Sequence, residues 1–134
     1  MVPLTPGDEQ PTLISVIPMF HIFGLTMNVL QPLSAGAHVI TMPKFDPKHF
    51  ISKYSPNPQS LHYRHNFVAS LSTFQPDFLT LVPPLVMMLA MNPAVTREHL
   101  AGTRVISSGG SPVSTSILDK LREKMKPDSL IKVR

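Results

Sequence analysis

The sequence predicts an α/β fold: a partial doubly wound, mostly parallel sheet with helices on both faces. Three observations predict it. Short β-branched runs alternate with segments of helical period, those runs are apolar at nearly every position, and proline or glycine closes most of them. A strand with one wet face alternates apolar and polar residues, so nearly continuous apolar strands need cover on both sides.

The elements follow in order. Leu13-Ile14-Ser15-Val16-Ile17 is a buried strand ended by Pro18. Ile22 to Leu33 carries apolar residues at helical spacing, stops near Pro32 and has Gly36 beyond it. His38-Val39-Ile40-Thr41-Met42 is a second strand, closed by Pro43. Asp46-Pro47 starts a helix, because aspartate satisfies free amides and proline fits the first helical position. Phe78-Leu79-Thr80-Leu81-Val82 is the third strand, and Pro83-Pro84 opens the helix Leu85–Met91, which Asn92-Pro93 ends. Arg104-Val105-Ile106-Ser107 is the fourth strand. The last helix, Val113 to Lys126, places Ile117, Leu121 and Met125 on one stripe with charges opposite. Residues 52–66 break the pattern. They carry two prolines and no helical period, and they part His49-Phe50-Ile51 from Phe67-Val68-Ala69, which otherwise belong to one amphipathic helix.

Composition bounds the function. A chain of 134 residues is one domain, and 43% hydrophobic residues suffice for a core. Charged residues are 15% where soluble domains carry about 25%, so part of the surface is meant to be covered. The absence of cysteine excludes disulfide scaffolds, thiol catalysis and zinc fingers. The net charge is +4, yet the densest basic group, Lys120, Arg122, Lys124 and Lys126, is interrupted by Glu123 beside Asp119 and reads as a solvated helix face. No nucleic-acid partner is expected. Residues 10–43 and 78–96 hold no Asp, Glu, Lys or Arg before Lys44 and Arg97, but Pro18, Pro32 and the Pro83-Pro84 pair interrupt them, so no stable membrane span is expected. The first residues lack the basic region and apolar stretch of a secretion signal, so no export is implied.

In open parallel sheets, ligands bind outside the carboxyl ends of the strands. The unusual residues collect there: Phe20-His21-Ile22-Phe23-Gly24 after the first strand, Lys44-Phe45-Asp46 after the second, Pro83-Pro84 after the third and Ser108-Gly109-Gly110-Ser111-Pro112 after the fourth. The glycines let backbone amides approach a flat or anionic ligand, and Ser111 is placed to cap the following helix with Pro112 in its first turn. An ordinary tight turn is the alternative. His21 is a candidate site imidazole or a packed core histidine, since no triad partner marks it. His62-Tyr63-Arg64-His65 is thin as a metal site, and no metal ligand is assigned. Met87, Met88 and Met91 read as core filler.

Taken together, Val16-Ile17-Pro18-Met19-Phe20-His21-Ile22-Phe23-Gly24-Leu25, Pro43-Lys44-Phe45-Asp46-Pro47, Leu81-Val82-Pro83-Pro84-Leu85 and Ser108-Gly109-Gly110-Ser111-Pro112 resemble the adenylate-forming, AMP-binding enzymes. The likeness is to the 4-coumarate–CoA ligase, acyl-CoA synthetase and firefly-luciferase group, and it covers nearly the whole chain outside 52–66. It implies that residues 1–134 are a partial AMP-binding (adenylation) domain, a piece of the large N-terminal domain, with an atypical inserted loop at about 52–66 that suggests a retained intron or an imperfect gene model.

The resemblance also implies a reaction. A small-molecule carboxylic acid is activated by ATP to an acyl-adenylate and transferred to CoA, in fatty acid or phenylpropanoid metabolism. Family members work in the cytoplasm or the peroxisome. By the same resemblance His21 is the catalytic histidine, Phe23, Gly109, Gly110, Ser111 and Pro112 line the acyl-adenylate site, and Lys44 binds CoA. Where the family often has two alanines this chain has Gly110 and Ser111. The cofactors implied are ATP/AMP, CoA and Mg2+, but the Ser/Thr/Gly-rich phosphate loop, the Tyr-Gly-x-Thr-Glu motif and the Mg2+ ligands are not among these residues. A fragment inactive by itself is therefore expected, with a non-catalytic acyl- or adenine-binding module as the alternative. The acid's identity and the oligomeric state are left open.

Overall fold

A computed structural model describes residues 9–42 and 67–133. Five short strands, β1 (Thr12–Ser15), β2 (His38–Thr41), β3 (Phe78–Leu81), β4 (Val105–Ser108) and β5 (Leu130–Val133), form one sheet in the order β2-β1-β3-β4-β5. Every neighbouring pair is parallel. The expected α/β, doubly wound sheet is therefore present, with one strand more than the sequence pattern indicates. β5 is that strand. The start of a helix at Asp46-Pro47 and the insertion at 52–66 lie outside the described residues.

Strand order decides which face each helix covers. The chain steps one way from β1 to β2 and the other way from β2 through β5. Right-handed crossovers then put the β1–β2 connection on one face and the later helices on the opposite one. Those later helices are α3 (Phe67–Phe74), α4 (Pro83–Met91) and α5 (Thr115–Lys124). They bury Phe67, Leu71, Val86, Leu89 and Leu121 against a transverse row of paired strand residues, Ile40, Ile14, Leu79, Ile106 and Ile131. Burying each such side chain contributes roughly 1.5–3 kcal/mol, which makes this face the main source of stability.

The β1–β2 connection departs from a regular helix. It comprises α1 (Ile22–Leu25), a π-helical turn (Thr26–Leu30) and α2 (Gln31–Ser34). Pro32 explains the wide turn: in an α-helix its ring would meet the carbonyl of Asn28, and it has no N–H to donate. The buried stripe is not the expected set of large apolar residues. Gly24, Asn28 and Pro32 face inward, while Ile22, Leu25, Leu30 and Leu33 are exposed. A strand exit packed this closely against a helix admits only small or slender groups. At Gly24 a Cβ would collide with the backbone carbonyl of Pro18.

Polar groups fasten the strand ends. Asp77 accepts from Thr12 N through its carboxylate at 2.8 Å. Its backbone donates to Thr12 O and accepts from Arg104 N and Val105 N, so one residue joins the amino ends of β1, β3 and β4. Lys124 of α5 donates from Nζ to Leu89 O at 3.0 Å and Asn92 O at 2.7 Å, closing carbonyls at the end of α4 that have no helical partner. Partial burial holds the Lys124 ammonium below its ordinary pKa. The unfolded chain then binds the proton more tightly, so this group adds stability as pH rises through the window just below 10.5.

Two substitutions check these contacts. Lys124→Met is expected to lower unfolding free energy by about 1–2 kcal/mol in a urea titration, because two carbonyls lose a charged donor. Gly24→Ala is expected to cost at least about 2–3 kcal/mol in thermal or urea melts, since the facing atom is backbone and cannot rotate aside.

Candidate functional site

Strand order 2-1-3-4-5 reverses between β1 and β3, and that reversal opens a crevice at the carboxyl ends of the strands. A groove of about 300 Å³ lies beside it. One wall is Phe23, Met27, Gln31 and Pro32 from the β1–β2 connection, and the sheet supplies Leu13, Phe78, Thr80, Val105, Ser107 and Lys132. Gly109 stands at the end of β4 and closes the upper edge.

Register sorts the groove-side residues into two transverse rows. Val39, Leu13, Phe78, Val105 and Leu130 pair across all five strands and form an apolar row. Two residues nearer the carboxyl ends, Thr80, Ser107 and Lys132 pair across β3, β4 and β5, and Ser15 pairs with Thr41 at the same height on β1 and β2. This second row is polar throughout. On the opposite face, the row at the carboxyl ends of β3, β4 and β5 is Leu81, Ser108 and Val133, with one polar residue among three.

The site residues expected from the sequence are distributed along this rim. His21 follows β1, is exposed, and caps α1: its Nδ1 accepts from Phe23 N at 3.2 Å. An accepting Nδ1 leaves the proton of a neutral imidazole on Nε2, which is turned away from the cap. Phe23 and Gly109 line the same groove, one from the helical wall and one from the end of β4. Gly110 has φ +97, and a Cβ added there would meet nothing within 4 Å, so its backbone is open to an approaching group. Ser111 and Pro112 are exposed beyond it. Lys44 lies outside the described residues.

One local expectation is overturned. Ser111 does not cap the last helix; its hydroxyl donates to Gly110 O at 2.8 Å. The left-handed backbone at Gly110 turns the chain aside, and α5 begins only at Thr115, with Ser114 in the capping position. Sequence reasoning also missed Met27, Gln31, Thr80 and Lys132 as groove residues. The signal for Lys132 was present in Leu130-Ile131-Lys132-Val133, a β-prone run directly after the Pro127-Asp128 turn.

Among the described residues no group of three or more His, Cys, Asp or Glu stands close enough together to hold a metal ion. No helix among them is long and apolar enough to cross a membrane.

A family model for AMP-binding enzymes matches residues 2–133. The chain belongs to this family. Probable 4-coumarate–CoA ligase 1 of Dictyostelium discoideum is 27% identical over 92% of the chain and 19% of its own length. 4-Coumarate–CoA ligase 3 of Arabidopsis thaliana is 32% identical over 87% of the chain and 18% of its own length. The chain thus spans about a fifth of the length of the curated relatives it matches. The crystal structure of apo MatB from Rhodopseudomonas palustris shares the fold, with a TM-score of 0.69 at 22% identity over 93% of this chain and 21% of that one. The expected membership of the adenylate-forming superfamily and its acid–CoA ligase-like fold are therefore established.

The cap at His21 is separable from any chemistry there. His21→Ala is expected to destabilise by about 0.5–1 kcal/mol in urea, and His21→Asn to restore most of that, because asparagine also accepts from the second helical amide.

Proposed function

We propose that this chain is the acid-holding part of an ATP-dependent acid–CoA ligase, a partial adenylation domain whose groove receives the carboxylic acid and its adenylate. The observation that carries the reading is the meeting of Phe23 and Gly109 in one groove that runs along the sheet face to the carboxyl end of β4, in a family whose members bind AMP. The acid's apolar body lies against Phe23, Met27 and Phe78, with its carboxyl group at the Gly109–Gly110 edge. There the open backbone of Gly110 accommodates the adenylate, with Ser111 and Pro112 alongside.

His21 stands at the same rim as a donor toward the reacting carboxylate through Nε2. Lys44 is the residue we assign to CoA on the resemblance of Pro43-Lys44-Phe45-Asp46. ATP and CoA are the co-substrates of this reading. Mg2+ would assist the triphosphate, and no described residue set fits it, so no step is built on the ion. The 134 residues contain no Ser/Thr/Gly-rich loop ending in Pro-Lys-Gly and no Tyr-Gly-x-Thr-Glu sequence. Adenylyl transfer depends on positioning and charge stabilisation of the phosphates, so this polypeptide alone is expected to bind without turnover.

Two measurements test the reading. Carboxylate-dependent ATP–pyrophosphate exchange by the purified chain is expected to be at background, and clear exchange would refute the inactivity. A non-hydrolysable acyl-adenylate mimic is expected to bind by calorimetry, with Phe23→Ala weakening it about tenfold through lost apolar contact. Unchanged affinity in that variant would remove the groove from the site.

A further inference from the structure

We infer that the groove selects acids carrying a second anionic group, and that Lys132 is the residue that reads it. This rests on the reading of the groove as the acid's site and narrows the class of acid it takes.

The opposite, helix-covered face stays apolar through Ile14, Leu79, Ile106 and Ile131, and in its next row Ser108 stands alone between Leu81 and Val133. The groove side instead changes character within one pleat repeat. Leu13, Phe78 and Val105 make an apolar floor, and Thr80, Ser107 and Lys132 replace it with two hydroxyls and an ammonium on the side of the Gly109 edge. Successive groove-facing positions along a strand are roughly 6.6 Å apart, so an acid lying along the floor with its carboxyl group at that edge passes the polar row.

Charge points the same way. Lys132 is the one ionised side chain among the described groove-lining residues, and none of them is a carboxylate. Among the described residues Lys132 has no ion-pair or hydrogen-bond partner through its side chain, whereas Arg122 has Asp119 and Lys124 has the α4 carbonyls. Thr80 is buried, and Ser107, directly paired with Lys132, is half-buried; both hydroxyls can donate to the anion that Lys132 attracts. An unbranched hydrocarbon acid would leave this row without partners and would strip water from it, a loss that a second carboxylate avoids. The apolar row beyond it admits the rest of the molecule.

The test uses the 134-residue chain and a matched pair of probes, an aryl-substituted monocarboxylate and the same compound bearing a second carboxylate. Affinities are measured at low ionic strength by calorimetry, and contact is located from amide shifts of Phe78, Val105 and Ser107. The dicarboxylate is expected to bind about fivefold more tightly to the wild type, the upper range for a solvent-accessible pair. That preference should vanish in Lys132→Met, be restored in Lys132→Arg, and fall with added salt. Monocarboxylate affinity is expected to fall less than dicarboxylate affinity in Lys132→Met. Lys132 is exposed, so these substitutions leave the fold intact. A dicarboxylate preference that survives Lys132→Met, or no preference in the wild type while the monocarboxylate shifts the groove amides, would overturn this inference alone. Failure of both probes to shift those amides would overturn the acid-site reading and this inference with it.

Discussion

Lateral registry of the parallel strands is the constraint on which the rest depends. Once Leu13 pairs with Phe78 and Phe78 with Val105, every other residue of β1, β3 and β4 has its face and height assigned. A slip of one position would turn Ile14, Leu79 and Ile106 away from α3, α4 and α5 and present serine and threonine to the core. The apolar isoleucine–leucine row therefore does two things at once. It anchors the helices on one side, and on the other it brings hydroxyls and an ammonium to the mouth of a groove. Asp77 supports the same registry from the amino ends, where it ties three strands together.

Most of the strand–helix order was legible because buried parallel strands are compositionally extreme. Leu13–Ile17, His38–Met42, Phe78–Val82 and Arg104–Ser107 each coincide with an observed strand, displaced by a residue or more at one or both ends. β5 was less visible for a physical reason: it is an edge strand, it is four residues long, and its burial alternates, so Lys132 dilutes the apolar signal. The β1–β2 connection misled in a different way. Its large apolar residues have helical spacing, yet the close approach at Gly24 and the proline at 32 turn the slender stripe inward. Periodicity reports which residues share a side, not which side meets the sheet.

Legibility of the site was divided along similar lines. That His21, Phe23 and the Gly109–Pro112 bend follow carboxyl ends of strands is a consequence of topology and could be read from element order. That Phe23 and Gly109 share a groove while Ser111 stays outside it depends on the backbone at Gly110, which no spacing rule reports. The cap donated by Phe23 to His21 was equally hidden, because histidine is an uncommon partner for a helix amide.

The wide turn at Thr26–Leu30 has an implication for how the cleft's width is adjusted. A helix containing one extra residue per turn is out of phase with its own continuation by about 100°. Deleting a single residue there would rotate Gln31 and Pro32 away from Met27 while the strands stayed still. A length change of one codon in this segment, with no change in the sheet, would thus reshape the groove wall formed by Met27, Gln31 and Pro32.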